Sequence, residues 1–289
     1  MPTFSLTPKG PFALSAALRF LADFTPAAYP PEDDGVLRLA FPADDGLHVV
    51  GCAVRQPGDA GDVRVEWSSD GADPAAVRAQ VARILSLDVD GSGFPAVGRA
   101  DSQVGRLQAE FPGLRPVCFY SPYEAAAWTV IGNRLRMTRA AAVKDGLART
   151  YGEALTVAGR ERHAFPLPAV LRALDSVPGV SAVKTQRLHA LAEAALDGRL
   201  DAAALRALPP EDALARLREL PGIGPFSAEL ILIRGAGHPD VFPRAEHRLH
   251  AAMAEAYGRA ETPDALAPVA AEWRPYRSWV SLLFRAGAG

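Results

Sequence analysis

From about residue 108 onward the chain offers one helical candidate after another, and this succession constrains the fold most. The stretches 122–132, 137–150, 167–175, 184–197, 202–206, 210–219, 225–235, 246–257 and 263–273 each carry helical spacing of apolar residues, and many open after Ser, Thr, Asp or Pro. Those residue types cap or pre-organise a first helical turn. Short connections between them predict an all-α region of about 180 residues. The preceding third reads differently. Residues 3–7, 36–41, 47–55 and 63–67 are β-prone runs separated by turns rich in Pro, Gly and Asp, with helices expected over Pro11–Phe24 and Pro74–Leu87. The expected fold class is therefore α+β: an antiparallel sheet domain with helices over 1–107, then a helical domain over 108–289.

Composition narrows the function classes. The 289 residues include 31 Lys+Arg and 33 Asp+Glu, a net charge of −2, and 49% are apolar, an ordinary globular balance. Residues 1–100 hold eight basic and 13 acidic side chains, so the remaining 189 carry a small positive excess. That excess is nearly all arginine, because Lys9, Lys144 and Lys184 are the only lysines. Arginine suits bidentate phosphate contacts. Two cysteines, Cys52 and Cys118, are too few for a disulfide framework, a four-thiolate zinc site or a four-cysteine iron–sulfur cluster. No run approaches the roughly 18 apolar residues of a membrane span, and Met1–Gly10 lacks a signal-peptide pattern. A cytoplasmic chain without a membrane partner is expected.

The chemically informative stretch is 217–253, within which Leu220-Pro221-Gly222-Ile223-Gly224 separates two helices, the second starting at Pro225. Two glycines so close permit a tight hairpin with exposed backbone amides, which can hold a DNA phosphate without reading sequence. Ile223 would anchor the turn in the core. Gly235, then Asp240-Val241-Phe242-Pro243 and an acid at Glu246, follow. With Phe165-Pro166, the run Arg187–Leu196 and the terminal Trp273-Arg274-Pro275-Tyr276-Arg277-Ser278-Trp279, this pattern resembles the helix–hairpin–helix superfamily of DNA base-excision glycosylases. Within it the likeness is to the AlkA-like group of bacterial 3-methyladenine glycosylases. It runs over most of the chain and is weak before residue 100.

The resemblance implies a helix–hairpin–helix at about 210–235 and monofunctional excision of alkylated purines from double-stranded DNA; a monomer is expected, although the sequence does not encode the oligomeric state. It puts the catalytic aspartate of the family at Glu246, a departure that keeps the charge on an arm one methylene longer. Helix-dipole compensation is the alternative role of this residue. Asp240 and Glu229 are weaker candidates for the acid; Asp240 is expected instead to support its loop and Glu229 to face solvent. Phe226 stands where bifunctional relatives carry a lysine nucleophile and the AlkA-like group a tryptophan. It is expected as a wall of the base pocket, with Leu230, His247 and Trp279 beside it, or else as core. The terminal aromatics Trp273, Tyr276 and Trp279 are expected mostly in the core, with at most one of them reaching the pocket. A second departure falls at Ile131–Arg136, where the family has a Gln and an apolar wedge. Here Asn133 and Arg134 occupy those places, with Arg136 adding to a basic run that is either DNA-contacting or merely solvated. No cofactor is required. A structural Na⁺ or K⁺ on the carbonyls of Arg218, Leu220 and Ile223 rests on the resemblance alone. The rival reading is a catalytically weak or inactive lesion-binding or DNA-structure-binding protein on the same scaffold.

Overall fold

The computed structural model describes residues 1–23, 29, 34–58 and 61–287. Phe24, at the end of the first expected helix, and the last two residues of the chain lie outside them. The chain opens with β1 (Thr3–Leu6) and α1 (Leu14–Asp23), then β2 (Leu37–Pro42), β3 (Val49–Arg55) and β4 (Val63–Ser69). These strands form one antiparallel sheet in the order β1-β4-β3-β2. Val54 pairs with Val65 and Cys52 with Trp67 in its middle. α2 (Pro74–Ile84) starts where Asp73 accepts the amides of Ala75 and Ala76, and Val77, Val81 and Ile84 bury against the sheet core.

The remaining helices form two cores. α3 (Phe94–Ala100) and α4 (Ser102–Glu110) meet closely enough that a Cβ on Gly105 would lie 2.5 Å from the Gly98 carbonyl oxygen. They are followed by α5 (Pro122–Gly132), α6 (Met137–Tyr151), α7 (Pro168–Ala173), α8 (Ala182–Leu196), α9 (Ala202–Ala207), α10 (Pro210–Arg218) and α11 (Pro225–Leu230). α11 runs on as a π-helical turn over Ile231–Gly235. α12 (His247–Tyr257), α13 (Pro263–Ala271) and α14 (Arg277–Gly287) complete the chain. Residues 119–241 share one apolar core, including Trp128, Leu188, Ile223 and Ile231. The last three helices share another with α3 and α4, through Phe94, Leu107, Trp273 and Phe284. Asp101 binds these parts together: it caps α4 and also accepts Tyr257 Oη at 2.7 Å and Trp273 Nε1 at 3.1 Å. The apolar cores thus cut across the expected division at 107/108.

The expectation that strands stop near residue 108 is overturned. β5 (Ala154–Val157) and β6 (Arg160–His163) form an antiparallel hairpin inside the helical half. Ala158 and Gly159, at φ 45° and 74°, make its two-residue turn, the left-handed pair that matches strand twist. Val157 packs with Val36 and Ala53 of the N-terminal sheet, and Ala164 with Ala40 and Val49. The hairpin therefore covers a face of the first sheet. Arg83 on α2 makes another joint, donating to the Gly235 carbonyl at 2.5 Å while pairing with Asp44 at 2.7 Å. No helix among the described residues is long and apolar enough to cross a membrane.

Candidate active site

The glycine turn joins α10 to α11 as the residue pattern predicts. The Ile223 amide donates to the Leu220 carbonyl at 3.1 Å, and the Ile223 side chain is buried with Leu217 and Leu220. Gly222 takes φ 88°, and a Cβ there would lie 2.6 Å from Cδ of Arg187 on α8. A side chain at this position would suffer both backbone strain and a close contact. Gly224 is extended and open, with nothing near the place of a Cβ. Gly222 and Gly224 are exposed, so the backbone of the turn faces outward while Ile223 holds it from below.

Glu246 immediately precedes α12, at φ −97° and ψ 87°, and makes no capping hydrogen bond to that helix. The side chain is 24% exposed, with Oε1 3.7 Å from Nε of Arg285 on α14. The backbone leading to it is held by a residue whose expected position was wrong. Glu229 does not face solvent; it is buried on α11, and its two carboxylate oxygens accept the amides of Arg244 at 2.9 Å and Ala245 at 3.0 Å. Burial raises the Glu229 carboxyl above its usual range, while those two amides pull it back down. The helix that follows the glycine turn thus fixes the two residues before Glu246. Asp240 supports the same loop from the other side, accepting Arg277 Nε at 2.7 Å.

The expected pocket residues separate. Phe226 is 45% exposed, which excludes the core reading for it, and Leu230 is half-buried one turn further along α11. His247, the first residue of α12, is exposed beside Glu246. Trp279 requires a correction. It is 2% exposed and packs edge-on to Phe94 at 5.2 Å, with the Arg115 guanidinium 5.0 Å from its ring centre, so it forms core rather than a pocket wall. A bulky aromatic buries large apolar area wherever it packs, which is why sequence could not separate these two roles.

The loop after α5 presents Asn133, Arg134 and Arg136 to solvent. The Leu135 amide donates to the Gly132 carbonyl at 3.0 Å, closing a four-residue turn. Asn133 takes φ −56° and ψ 121°, and Arg134 takes φ 55°. This is a type II turn with an arginine where glycine is favoured, at a cost of order 1–3 kcal/mol. Such strain persists only where neighbouring contacts over-determine the backbone.

Over 208 residues the chain is 32% identical to the "Probable bifunctional transcriptional activator/DNA repair enzyme AlkA" of Mycobacterium tuberculosis, covering 70% of this chain and 41% of that protein. The chain therefore spans less than half the length of that relative. It is 28% identical over 222 residues to the DNA-3-methyladenine glycosylase 2 of Escherichia coli, covering 74% of this chain and 73% of that one. Among solved structures, the 3-methyladenine DNA-glycosylase from Archaeoglobus fulgidus shares the fold with a TM-score of 0.79, over 99% of this chain and 98% of that one, at 18% identity. No family model matches the chain. Glycine turn, spaced acid, sequence likeness and shared fold together make this chain similar to the helix–hairpin–helix DNA glycosylases, and to AlkA-like members among them.

Proposed function

We propose that this protein is a monofunctional DNA glycosylase that excises alkylated purines of the 3-methyladenine type from double-stranded DNA, leaving an abasic site. The observation that carries the reading is the clamp of Glu229 on the Arg244 and Ala245 amides, which ties Glu246 to the helix bearing Phe226. A flipped nucleotide must meet a base-binding surface and a carboxylate at once. The N-glycosidic bond breaks with its electron pair leaving on the base, and positive charge develops on the sugar. The Glu246 carboxylate stabilises that charge and orients the water that completes hydrolysis. An N-alkylated purine is cationic and a good leaving group, so one carboxylate suffices. The exposed ring of Phe226 offers such a base a cation–π face. The exposed backbone at Gly222 and Gly224 clamps a phosphate through its amides, with Ile223 holding the turn through its bond to the Leu220 carbonyl, and the carbonyls of Arg218, Leu220 and Ile223 would hold a monovalent cation that adds charge beside it. Phe226 in place of a lysine nucleophile removes the amine that Schiff-base lyase chemistry needs.

One observation favours a second reading. Arg285 beside Glu246 offsets part of the charge that the mechanism needs, and the glutamate arm is longer than the family's aspartate. A protein that binds damaged or abasic DNA without releasing bases would tolerate both. A base-release panel on duplexes carrying alkylated, deaminated or oxidised bases separates the readings. Release from methylated DNA supports the glycosylase; tight abasic-duplex binding with no release from any substrate supports the binder.

A further inference from the structure

The turn that carries Arg134 has an anchor on a different helix. Lys184, in the first turn of α8, donates from Nζ to the carbonyls of Ile131 at 2.8 Å and Asn133 at 2.6 Å. The Ile131 carbonyl belongs to the last turn of α5, where backbone acceptors lack helical partners. The Asn133 carbonyl belongs to the central peptide of the Gly132–Leu135 turn. That peptide is the one whose flip distinguishes a type I from a type II turn. With the carbonyl turned toward Lys184, Arg134 must take positive φ, as observed at 55°. Without that donor, an arginine has every reason to relax to the type I form. Arg187, one turn further along α8, lies against Gly222 of the glycine turn. The same helix face therefore touches both segments through which the proposed function meets DNA.

We infer that Lys184 is a positioning residue that locks the Gly132–Leu135 turn in its type II form and so sets where Arg134 enters the DNA. The inference rests on the DNA-binding part of the proposed function, not on catalysis. Lys184 acts through Arg134 rather than on the base or the reacting sugar.

Two readouts test it on the full chain. In the free protein, tryptic cleavage after Arg134, followed by mass spectrometry, reports whether the turn has opened. Affinity for a duplex with a tetrahydrofuran abasic analogue reports whether the turn serves DNA. Lys184→Met should speed that cleavage and weaken that binding, each by about tenfold, the worth of one charge-assisted hydrogen bond. Lys184→Gln, which keeps a donor on a shorter arm, serves as the second variant should the first fail to fold. Lys184→Arg, which can still reach both carbonyls, should restore most of both effects. In an Arg134→Ala background, Lys184→Met should weaken binding by less than about twofold, since coupled residues do not add. Unchanged cleavage after Arg134 overturns the inference. So does faster cleavage with unaltered affinity, or an affinity loss of equal size in the Arg134→Ala background, which would make Lys184 an independent phosphate contact. None of these readouts requires base release, so failure of the glycosylase reading would be seen separately in the native protein.

Discussion

Glu229 accepts the Ala245 amide at 3.0 Å from a buried carboxylate, and its second oxygen accepts the amide of Arg244. One side chain thus satisfies two backbone donors of the partly exposed loop that leads to Glu246. Glu229→Ala should cost on the order of 1–3 kcal/mol in urea unfolding, because the two backbone donors lose their charged acceptor. It should also lower base release by more than the stability loss alone explains, since the peptide before Glu246 loses its tether.

The same carboxyl gives a pH dependence of defined sign. Burial is the largest influence on Glu229 and raises its pKa above the usual 4.5. A raised carboxylate binds its proton more tightly in the folded state than in the unfolded one. Its contribution to stability is therefore most favourable below pH 4.5 and is lost as pH rises through the folded value. Urea midpoints of the native protein and Glu229→Ala, followed from pH 4 upward, should diverge with this sign. The native protein's advantage over the variant should shrink as pH rises; a growing advantage would show that the two amide bonds outweigh burial.

The two glycines of the turn should respond differently. Gly222→Ala meets positive φ and Arg187 Cδ at 2.6 Å, and should lose about 1–3 kcal/mol together with affinity for duplex DNA. Gly224→Ala meets neither obstacle and should stay within about 0.5 kcal/mol of the native protein. Thermal melts of the two variants side by side check the contrast.

Two aromatics test where the base pocket lies. Phe226→Ala removes an exposed ring and should change stability by less than about 0.5 kcal/mol. Base release should nonetheless fall by about tenfold or more if the ring faces a cationic base. Trp279→Ala should instead cost about 3–5 kcal/mol, as a buried aromatic in a packed core does. Urea unfolding combined with single-turnover kinetics separates the two behaviours.

The helices that build the site were legible because their starts are chemically marked. Ser121 caps α5 by accepting the Glu124 amide at 3.1 Å with Pro122 behind it, and Pro225 opens α11 after the glycine turn. α3 is not legible in the sequence, because Gly98 and Pro95 interrupt its short run, and what sustains it is close contact with Gly105, a tertiary effect. The sequence expectation ends at 273 and leaves out α14, although Trp279, Val280, Leu283 and Phe284 mark a buried helical face within the terminal motif. The β5–β6 hairpin carries weak alternation and only Gly159 as a turn signal; its stability comes from the sheet it covers. The burial of Glu229 runs against the expectation from sequence, since a glutamate in a helix defaults to solvent. Its apolar neighbours Ala228, Leu230 and Ile231 were the signal that it is buried. Lys184 gave no such signal, because its carbonyl partners are backbone atoms 51 and 53 residues away.

The central claim is that Glu246 stabilises the charge developing on the sugar, and one comparison tests it most directly. Methylated duplex DNA is incubated with the native protein or with Glu246→Gln, and released bases are separated by chromatography, with affinity for an abasic duplex measured alongside. The account predicts 3-methyladenine release by the native protein, no release above background by Glu246→Gln, and abasic-duplex affinity preserved in both. Base release that survives Glu246→Gln at the native rate would contradict it.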